Sequence, residues 1–247
     1  MIQTFDLSKH FGDLKAVNGM NLDIPQGEFF ACLGPNGAGK TTTIKMLTGL
    51  MRPTSGQAMI CGIDIQRFPQ EAKALISYVP DFPFLYEKLT AKEFMWFIGD
   101  LYRLDRKKMP RLIDQLIEQF NLKDYQNEQI DNLSHGTKQR VAISSALLHD
   151  PKVIIIDEPM VGLDPKHSRI LKDEFKRRSR NGTTIFFSTH ALPVAEEVAD
   201  RIGIIHQGKL LAAGTVDELR SHSGHTGALL EEIFLEITAD AAAQSAS

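Results

Sequence analysis

The chain has 247 residues, 43% of them hydrophobic, and its 28 basic and 31 acidic residues give a net charge of −3. This length is sufficient for one or two domains with a sizeable buried core. The balanced charge argues against nucleic acid as a partner, and the lack of a leader or of an apolar run of about 18 residues argues against secretion or a membrane span. We therefore expect a protein of the reducing cytoplasm, with Cys32 and Cys61 reduced and in the core.

The first elements are predicted as short antiparallel strands, because apolar and polar residues alternate over residues 1–30 and turn residues interrupt them at 11–13 and 25–27. Residues 57–61 have the composition of a further strand. A buried strand over 29–33 and a helix over 42–50 then flank a glycine-rich loop.

That loop has the pattern of a phosphate-binding P-loop: two glycines separated by four residues, then a lysine and a hydroxyl residue. The glycines allow a tight turn whose N–H groups point at phosphate, Lys40 supplies a cation, and Thr41 supplies a hydroxyl ligand for magnesium. A chance glycine turn is the alternative, and the flanking strand and helix disfavour it. The predicted nucleotide-binding residues here are Gly34, Pro35, Asn36, Gly37, Ala38, Gly39, Lys40, Thr41 and Thr42.

Residues from about 88 to 150 change to helical spacing and form a predicted helical insertion. Its two apolar faces comprise Phe94, Phe97, Ile98 and Leu101, and then Leu112, Ile113, Leu116 and Phe120. Near-continuous apolar strands follow over 153–156, 184–187 and 201–205, as in parallel strands buried on both faces. This alternation predicts an α/β layered sheet with right-handed crossovers.

Two carboxylates, Asp157 and Glu158, end the strand over 153–156. Beside a P-loop, the first can organise magnesium and the second can accept a proton from an attacking water. A solvated acidic pair is the alternative. His190 ends the next strand at the same predicted edge, where it can contact a terminal phosphate, although a lone histidine is more often structural.

Five motifs in this order, over 34–41, 133–140, 153–159, 162–165 and 188–190, resemble those of the ATP-binding subunit of an ABC transporter. The resemblance covers about residues 1–219. It implies a single ABC ATPase domain over 1–220, with a RecA-like P-loop NTPase core, an antiparallel β subdomain and the inserted helical subdomain. The segment 221–247 is predicted as a short C-terminal helix and a disordered tail, the latter because residues 241–247 are of low complexity. The resemblance also implies that two subunits close head to tail over two ATP molecules.

The resemblance assigns a role to each matching residue. Lys40 and Thr41 match phosphate and magnesium ligands, Asp157 the metal-organising acid, Glu158 the general base and His190 the γ-phosphate sensor. The remaining matches are Phe11 stacked on adenine, Ser134 and Gly136 at the partner's γ-phosphate, and Asp164 in the loop that crosses the dimer; Phe11 is alternatively a core residue.

Three positions depart from the family pattern. In the signature segment His135 replaces a glycine and Thr137 replaces a glutamine. His135 can add positive charge there or be simply solvated. Asp81 stands where the family commonly has a glutamine that reaches magnesium and the attacking water; it is a candidate catalytic residue and magnesium ligand, or only a turn residue.

The predicted function is that of a subunit that binds and hydrolyses ATP with Mg²⁺ and powers a separate membrane permease. We expect it to lie on the inner face of the cell membrane, with residues 82–86 docking the permease or else packing inside the helical insertion. The segment 229–238 resembles the C-terminal helix of the branch that drives efflux, which favours an exporter. A non-transport ABC-type ATPase acting on ribosomes or DNA is the alternative; a simple P-loop kinase or GTPase does not explain residues 133–140.

Overall fold

The computed structural model describes residues 1–222 and 230–245. The strands are β1 (Ile2–Phe11), β2 (Leu14–Ile24), β3 (Phe29–Leu33), β4 (Ser55–Ile60), β5 (Ile63–Asp64), β6 (Ile76–Val79), β7 (Val153–Asp157), β8 (Thr184–Thr189), β9 (Arg201–His206) and β10 (Lys209–Gly214). The helices are α1 (Lys40–Leu47), α2 (Pro69–Lys73), α3 (Ala91–Leu101), α4 (Met109–Gln119), α5 (His135–Ala146), α6 (Pro165–Arg180), α7 (Leu192–Val198), α8 (Val216–His222) and α9 (Leu230–Ser245).

The N-terminal strands form an antiparallel sheet of order β2-β1-β4-β5, as predicted. They are not short, since β1 has 10 residues and β2 has 11. Irregular register after Thr4 lets these long strands bend, and Asp6 there has a φ of 46°. The expectation of two core cysteines holds only for Cys32, because Cys61 lies in the β4–β5 turn, partly buried, with a φ of 52°.

The second sheet has six strands in the order β10-β9-β3-β8-β7-β6, and all its neighbours are parallel except β9 and β10. Every residue of β3 and β7 is buried. Phe29 packs edge-on against Phe187 with ring centroids 5.5 Å apart, and each such ring contributes about 1.5–3 kcal/mol by burial. The carboxyl ends of β3, β6, β7 and β8 therefore meet at one edge of the sheet.

The helical insertion contains α3, α4, two short 3₁₀ turns and α5. Ile113, Leu116 and Phe120 are buried as expected, but Phe97 and Leu101 are 40% and 64% exposed. The α3 face that packs includes the buried residues Met95 and Gly99, and Gly99 lies close against the Met109 side chain of α4. Part of the predicted apolar face of α3, at Phe97 and Leu101, is therefore exposed to solvent.

Helix α9 packs against β9 and β10, with Ile233 buried. Its backbone is helical through Ser245, which covers most of the segment for which a disordered tail is expected. Leu229 and residues 246–247 lie outside the described residues. Across the described part of the chain, no helix combines the length and the apolar character needed to cross a membrane.

Candidate active site

The P-loop joins β3 to α1, which begins at Lys40, two residues before the predicted start. The Lys40 ammonium donates hydrogen bonds to the carbonyl oxygens of Gly34 at 2.6 Å and Pro35 at 3.2 Å. Gly39 has a φ of 106°, and a Cβ there would lie 2.4 Å from the carbonyl oxygen of Ala16. The loop therefore packs against the end of another strand in a shape that requires glycine.

Asp157, at the end of β7, lies directly beside the P-loop. Its Oδ2 accepts a hydrogen bond from the Thr41 hydroxyl at 2.9 Å, and its Oδ1 accepts one from the Ser188 hydroxyl. A carboxylate and a hydroxyl side by side fit Mg²⁺, which prefers oxygen ligands and usually keeps substrate phosphates and waters as well. The described residues hold no group of three His, Cys, Asp or Glu side chains suited to a metal ion, so such an ion would need those additional oxygens.

Glu158 follows with a φ of 49°, a left-handed conformation that costs a non-glycine residue roughly 1–2 kcal/mol. Its Oε1 lies 2.8 Å from Nδ1 of His190 and 3.9 Å from the Lys40 ammonium. The carboxylate is mostly buried, while His190 is half-exposed. Glu158 is thus held between a cation and an imidazole at the mouth of the site.

Lys40, Thr41, Asp157 and Glu158 line one cleft of about 640 Å³. Phe11 lines it with 48% of its surface exposed, so it is not a core residue. Asp81 lines it too, and burial together with the nearby charge of Asp157 raises the pKa of Asp81. Every predicted catalytic or magnesium-binding residue lies on this lining or in contact with it: Thr41, Asp81, Asp157, Glu158 and His190.

The signature segment lies elsewhere. Of the described residues, Ser134, Gly136 and Asp164 are not part of the cleft lining. Helix α5 begins at His135 rather than near Thr137, and Ser134 is its N-cap. A Cβ on Gly136 would lie 2.7 Å from the carbonyl oxygen of Gly162, so the segment packs on the loop after β7.

Two of the three departures from the family pattern, His135 and Thr137, lie in the signature segment beside the loop that carries Asp164. His135 is exposed, covers Gly162 and faces the Phe82 ring at a centroid distance of 6.0 Å. Thr137 is buried. Asp164 caps α6, accepting from the His167 backbone N–H at 3.0 Å and lying 2.6 Å from His167 Nδ1, and these hydrogen bonds lower the pKa of Asp164.

Some residues of the site were not predicted from the sequence. Ser188 contacts Asp157, and Lys15, Gln207 and Gly208 line the cleft. Gly208 donates its N–H to the Ala38 carbonyl at 2.9 Å. Gly208 lies in the turn between β9 and β10, and a glycine after a strand is a turn signal, but nothing local connects that hairpin to the P-loop.

The model for the family described as "ABC transporter" matches residues 17–161, which is more than half of the chain. The chain belongs to the ABC transporter family. The Escherichia coli (strain K12) "Probable multidrug ABC transporter ATP-binding protein YbhF" is 35% identical over 97% of this chain and 42% of its own length. The Bacillus subtilis (strain 168) "Linearmycin resistance ATP-binding protein LnrL" is 36% identical over 91% of this chain and 72% of its own length.

Solved structures agree with this assignment. An ATP-binding subunit of an ABC transporter superposes with a TM-score of 0.92 at 34% identity, over 96% of this chain and 99% of that one. The ATP-binding cassette MJ0796, solved as a dimer with ADP and Pi, has a TM-score of 0.77 at 26% identity, over 87% of this chain and 99% of that one. The predicted fold class and the interpretation as an ABC ATP-binding subunit are confirmed; the chain spans less than half of YbhF.

Proposed function

We propose that this chain binds and hydrolyses ATP in a head-to-tail dimer of two cassettes and thereby powers a separate membrane permease. One observation carries the proposal. The P-loop, Asp157 and Glu158 line a single cleft and His190 contacts Glu158, whereas Ser134 and Gly136 lie outside the cleft lining. A nucleotide site completed by a second copy of the chain explains why the cleft residues and the signature residues lie apart within one copy.

Within the cleft, Glu158 is the general base that takes a proton from the attacking water. His190 fixes the orientation of that carboxylate through Nδ1. Lys40 holds the terminal phosphates, exchanging its bonds to the Gly34 and Pro35 carbonyls for charge-assisted bonds to phosphate oxygens. General-base catalysis typically contributes about 10²–10⁴-fold.

Thr41 and Asp157 are the residues that would hold Mg²⁺, with Asp81 as a further ligand from the cleft wall. The ion, when bound, neutralises charge on the phosphates. Phe11 offers an exposed ring for the adenine, and base stacking on aromatic residues is worth about 1–3 kcal/mol in nucleic-acid complexes.

The partner's nucleotide would meet the N-terminus of α5. Ser134 is exposed there, and the first turn of a helix favours an anion through its free N–H groups and its dipole. The ATP-binding cassette MJ0796 was solved as a dimer, which supports a dimer for this chain.

Complementation tests the shared site. Lys40→Ala destroys the P-loop half and Ser134→Arg blocks the signature half, so a mixed dimer retains one site with neither lesion. We expect each variant alone to be inactive and a verified mixed dimer to regain part of the ATPase activity. Mixed dimers without any activity would argue against a contact by Ser134 across the dimer.

The permease would contact residues 82–86. Phe84 is 93% exposed and lines a cavity of about 320 Å³ together with Tyr78, Phe94 and Tyr102. Tyr86 instead packs on Phe97 with ring centroids 5.0 Å apart. Phe84 is therefore the better anchor for a short helix of the permease, since exposed aromatic residues bury much area at little entropic cost.

Phe84→Ser should leave ATP binding intact but abolish co-purification with the permease from detergent-solubilised membranes. Phe68→Ser is the matched control, because Phe68 is 52% exposed but precedes α2, in another part of the chain. If the Phe84→Ser and Phe68→Ser variants both recover the permease as the wild type does, Phe84 is excluded as the main contact.

Attachment to a permease would place the chain on the inner face of the membrane. The multidrug and linearmycin-resistance names of the relatives favour an exporter.

A further inference from the structure

Three side chains form a hydrogen-bonded series from the protein interior to the N-cap of α5. An Arg140 guanidinium nitrogen donates to the Thr137 hydroxyl at 3.0 Å, and that hydroxyl lies 2.9 Å from the Ser134 hydroxyl. The Thr137 backbone N–H also donates to Ser134 Oγ at 3.3 Å. Arg140 and Thr137 are buried, whereas Ser134 is exposed.

The direction of these hydrogen bonds follows from what each group can do. Arginine can only donate, so the Thr137 oxygen accepts from it. The Thr137 proton is buried and needs an acceptor, and the Ser134 oxygen is the hydroxyl acceptor beside it. Ser134 Oγ then accepts two hydrogen bonds, and its own proton is left to donate outward.

We propose that Thr137 and Arg140 are positioning residues that keep the Ser134 hydroxyl as a donor toward an anion, the terminal phosphate of the nucleotide held by a second copy of this chain. This inference rests on the proposed function. The family glutamine at position 137 is thereby replaced by a shorter residue that acts through Ser134 and not by its own contact with nucleotide.

Arg140 is itself fixed. It donates to the carbonyl oxygens of Phe120 at 2.9 Å and Asn121 at 2.8 Å, at the end of α4. The orientation of Ser134 is therefore tied to the packing of α4 on α5. A buried threonine in a helix commonly bonds the carbonyl four residues earlier. Thr137 bonds the N-cap residue Ser134 instead, so its hydroxyl acts on the exposed end of α5.

The test compares three α5 variants in a Glu158→Gln background. Thr137→Val keeps the shape but removes the hydroxyl, and Thr137→Ser restores the hydroxyl. Ser144→Ala is the matched control, because it removes another buried α5 hydroxyl, one that donates to the Val141 carbonyl at 3.0 Å. ATP affinity of the monomer and Mg-ATP-dependent dimerisation are measured separately, by calorimetry and by sedimentation.

We expect Thr137→Val to weaken dimerisation about tenfold or more, the usual scale for a hydrogen bond to a charged group, with monomer ATP affinity unchanged. Thr137→Ser and Ser144→Ala should dimerise as the Glu158→Gln parent does. Parent-like dimerisation of Thr137→Val would overturn the inference. Should that variant fail to fold, Thr137→Ala, which leaves room around Arg140, decides by the same comparison.

Ser134→Ala distinguishes the contact of Ser134 across the dimer from the positioning of Ser134 by Thr137. If Ser134→Ala loses dimerisation and Thr137→Val does not, the positioning role is wrong and the shared site stands. If Ser134→Ala dimerises normally, the contact across the dimer fails, and the positioning role fails with it.

Discussion

The imidazole Nδ1 of His190 lies 2.8 Å from Oε1 of Glu158, although the two residues are 32 positions apart in the chain. Parallel pairing of β7 with β8 brings them together, because Asp157, one residue before Glu158, is in register with Ser188, two residues before His190. With the proton on Nδ1, His190 donates to the carboxylate and restricts its orientation. The pair is therefore built by the register of the sheet.

His190→Ala removes this orienting hydrogen bond but leaves the P-loop untouched. We expect hydrolysis to fall at least about 10²-fold while ATP affinity changes little, since a general base depends on its geometry. Single-turnover hydrolysis and equilibrium nucleotide binding measure the two effects. A rate within twofold of wild type would remove His190 from the site.

Lys40→Ala should lose ATP affinity as well as hydrolysis, because bonds from Lys40 to phosphate exist before the chemical step. A loss of roughly 100-fold in affinity is expected from charge-assisted bonds. Lys45→Ala is the control: Lys45 is an exposed lysine on the same helix. Calorimetry that finds equal affinities for the two variants would contradict the role of Lys40.

Most of the active site could be predicted because motifs at the ends of parallel strands must meet at one edge. Asp157, Glu158 and His190 follow that rule, and the P-loop adds its own pattern. What the sequence could not supply depends on long-range packing. Gly208 reaches the P-loop from a distant hairpin.

The side of α3 that packs against the rest of the protein differs from the predicted one. Residues 94–98 are apolar almost all the way round the helix, so a 3.6-residue period alone does not select which side packs. The packed side includes Gly99, which lies against the Met109 side chain of the neighbouring helix α4. Helix α5 starts at His135, two residues before the predicted position near Thr137. Ser134 caps it by accepting a hydrogen bond from the Thr137 backbone N–H, and serine is a preferred N-cap residue.

Gly136→Ala should destabilise the monomer without nucleotide by about 1–3 kcal/mol, even though alanine favours a helix. The added Cβ would meet the Gly162 carbonyl oxygen at 2.7 Å, a backbone atom that cannot rotate away. Urea unfolding against Lys138→Ala, a neighbouring α5 substitution, measures the difference. An unchanged or higher stability would mean that the two loops are not tightly packed.

His149 should make stability depend on pH. Burial lowers the pKa of His149 to about 4, and the ring stacks on Tyr102 while Nε2 bonds the Ile76 carbonyl. An unfolded histidine titrates near pH 6.5, so the unfolded state binds the proton first as the pH falls and stability drops between about pH 6.5 and 4.

By pH 5 this loss should reach about 2 kcal/mol in the wild type. His149→Phe, which preserves a ring beside Tyr102, should lose correspondingly less between pH 7.5 and 5. Urea unfolding at both pH values measures it. Identical losses in the two proteins would show that His149 is not the titrating group.

The most direct test of the account is the response of Glu158→Gln to nucleotide. The substitution removes the base but keeps the side-chain length and the P-loop, so ATP should bind and remain intact. We predict wild-type ATP affinity, hydrolysis slowed about 10²–10⁴-fold, and a dimer in size-exclusion chromatography with Mg-ATP but not with Mg-ADP. Hydrolysis at the wild-type rate, or a variant that binds Mg-ATP and stays monomeric, would contradict a site shared between two cassettes with Glu158 as its base.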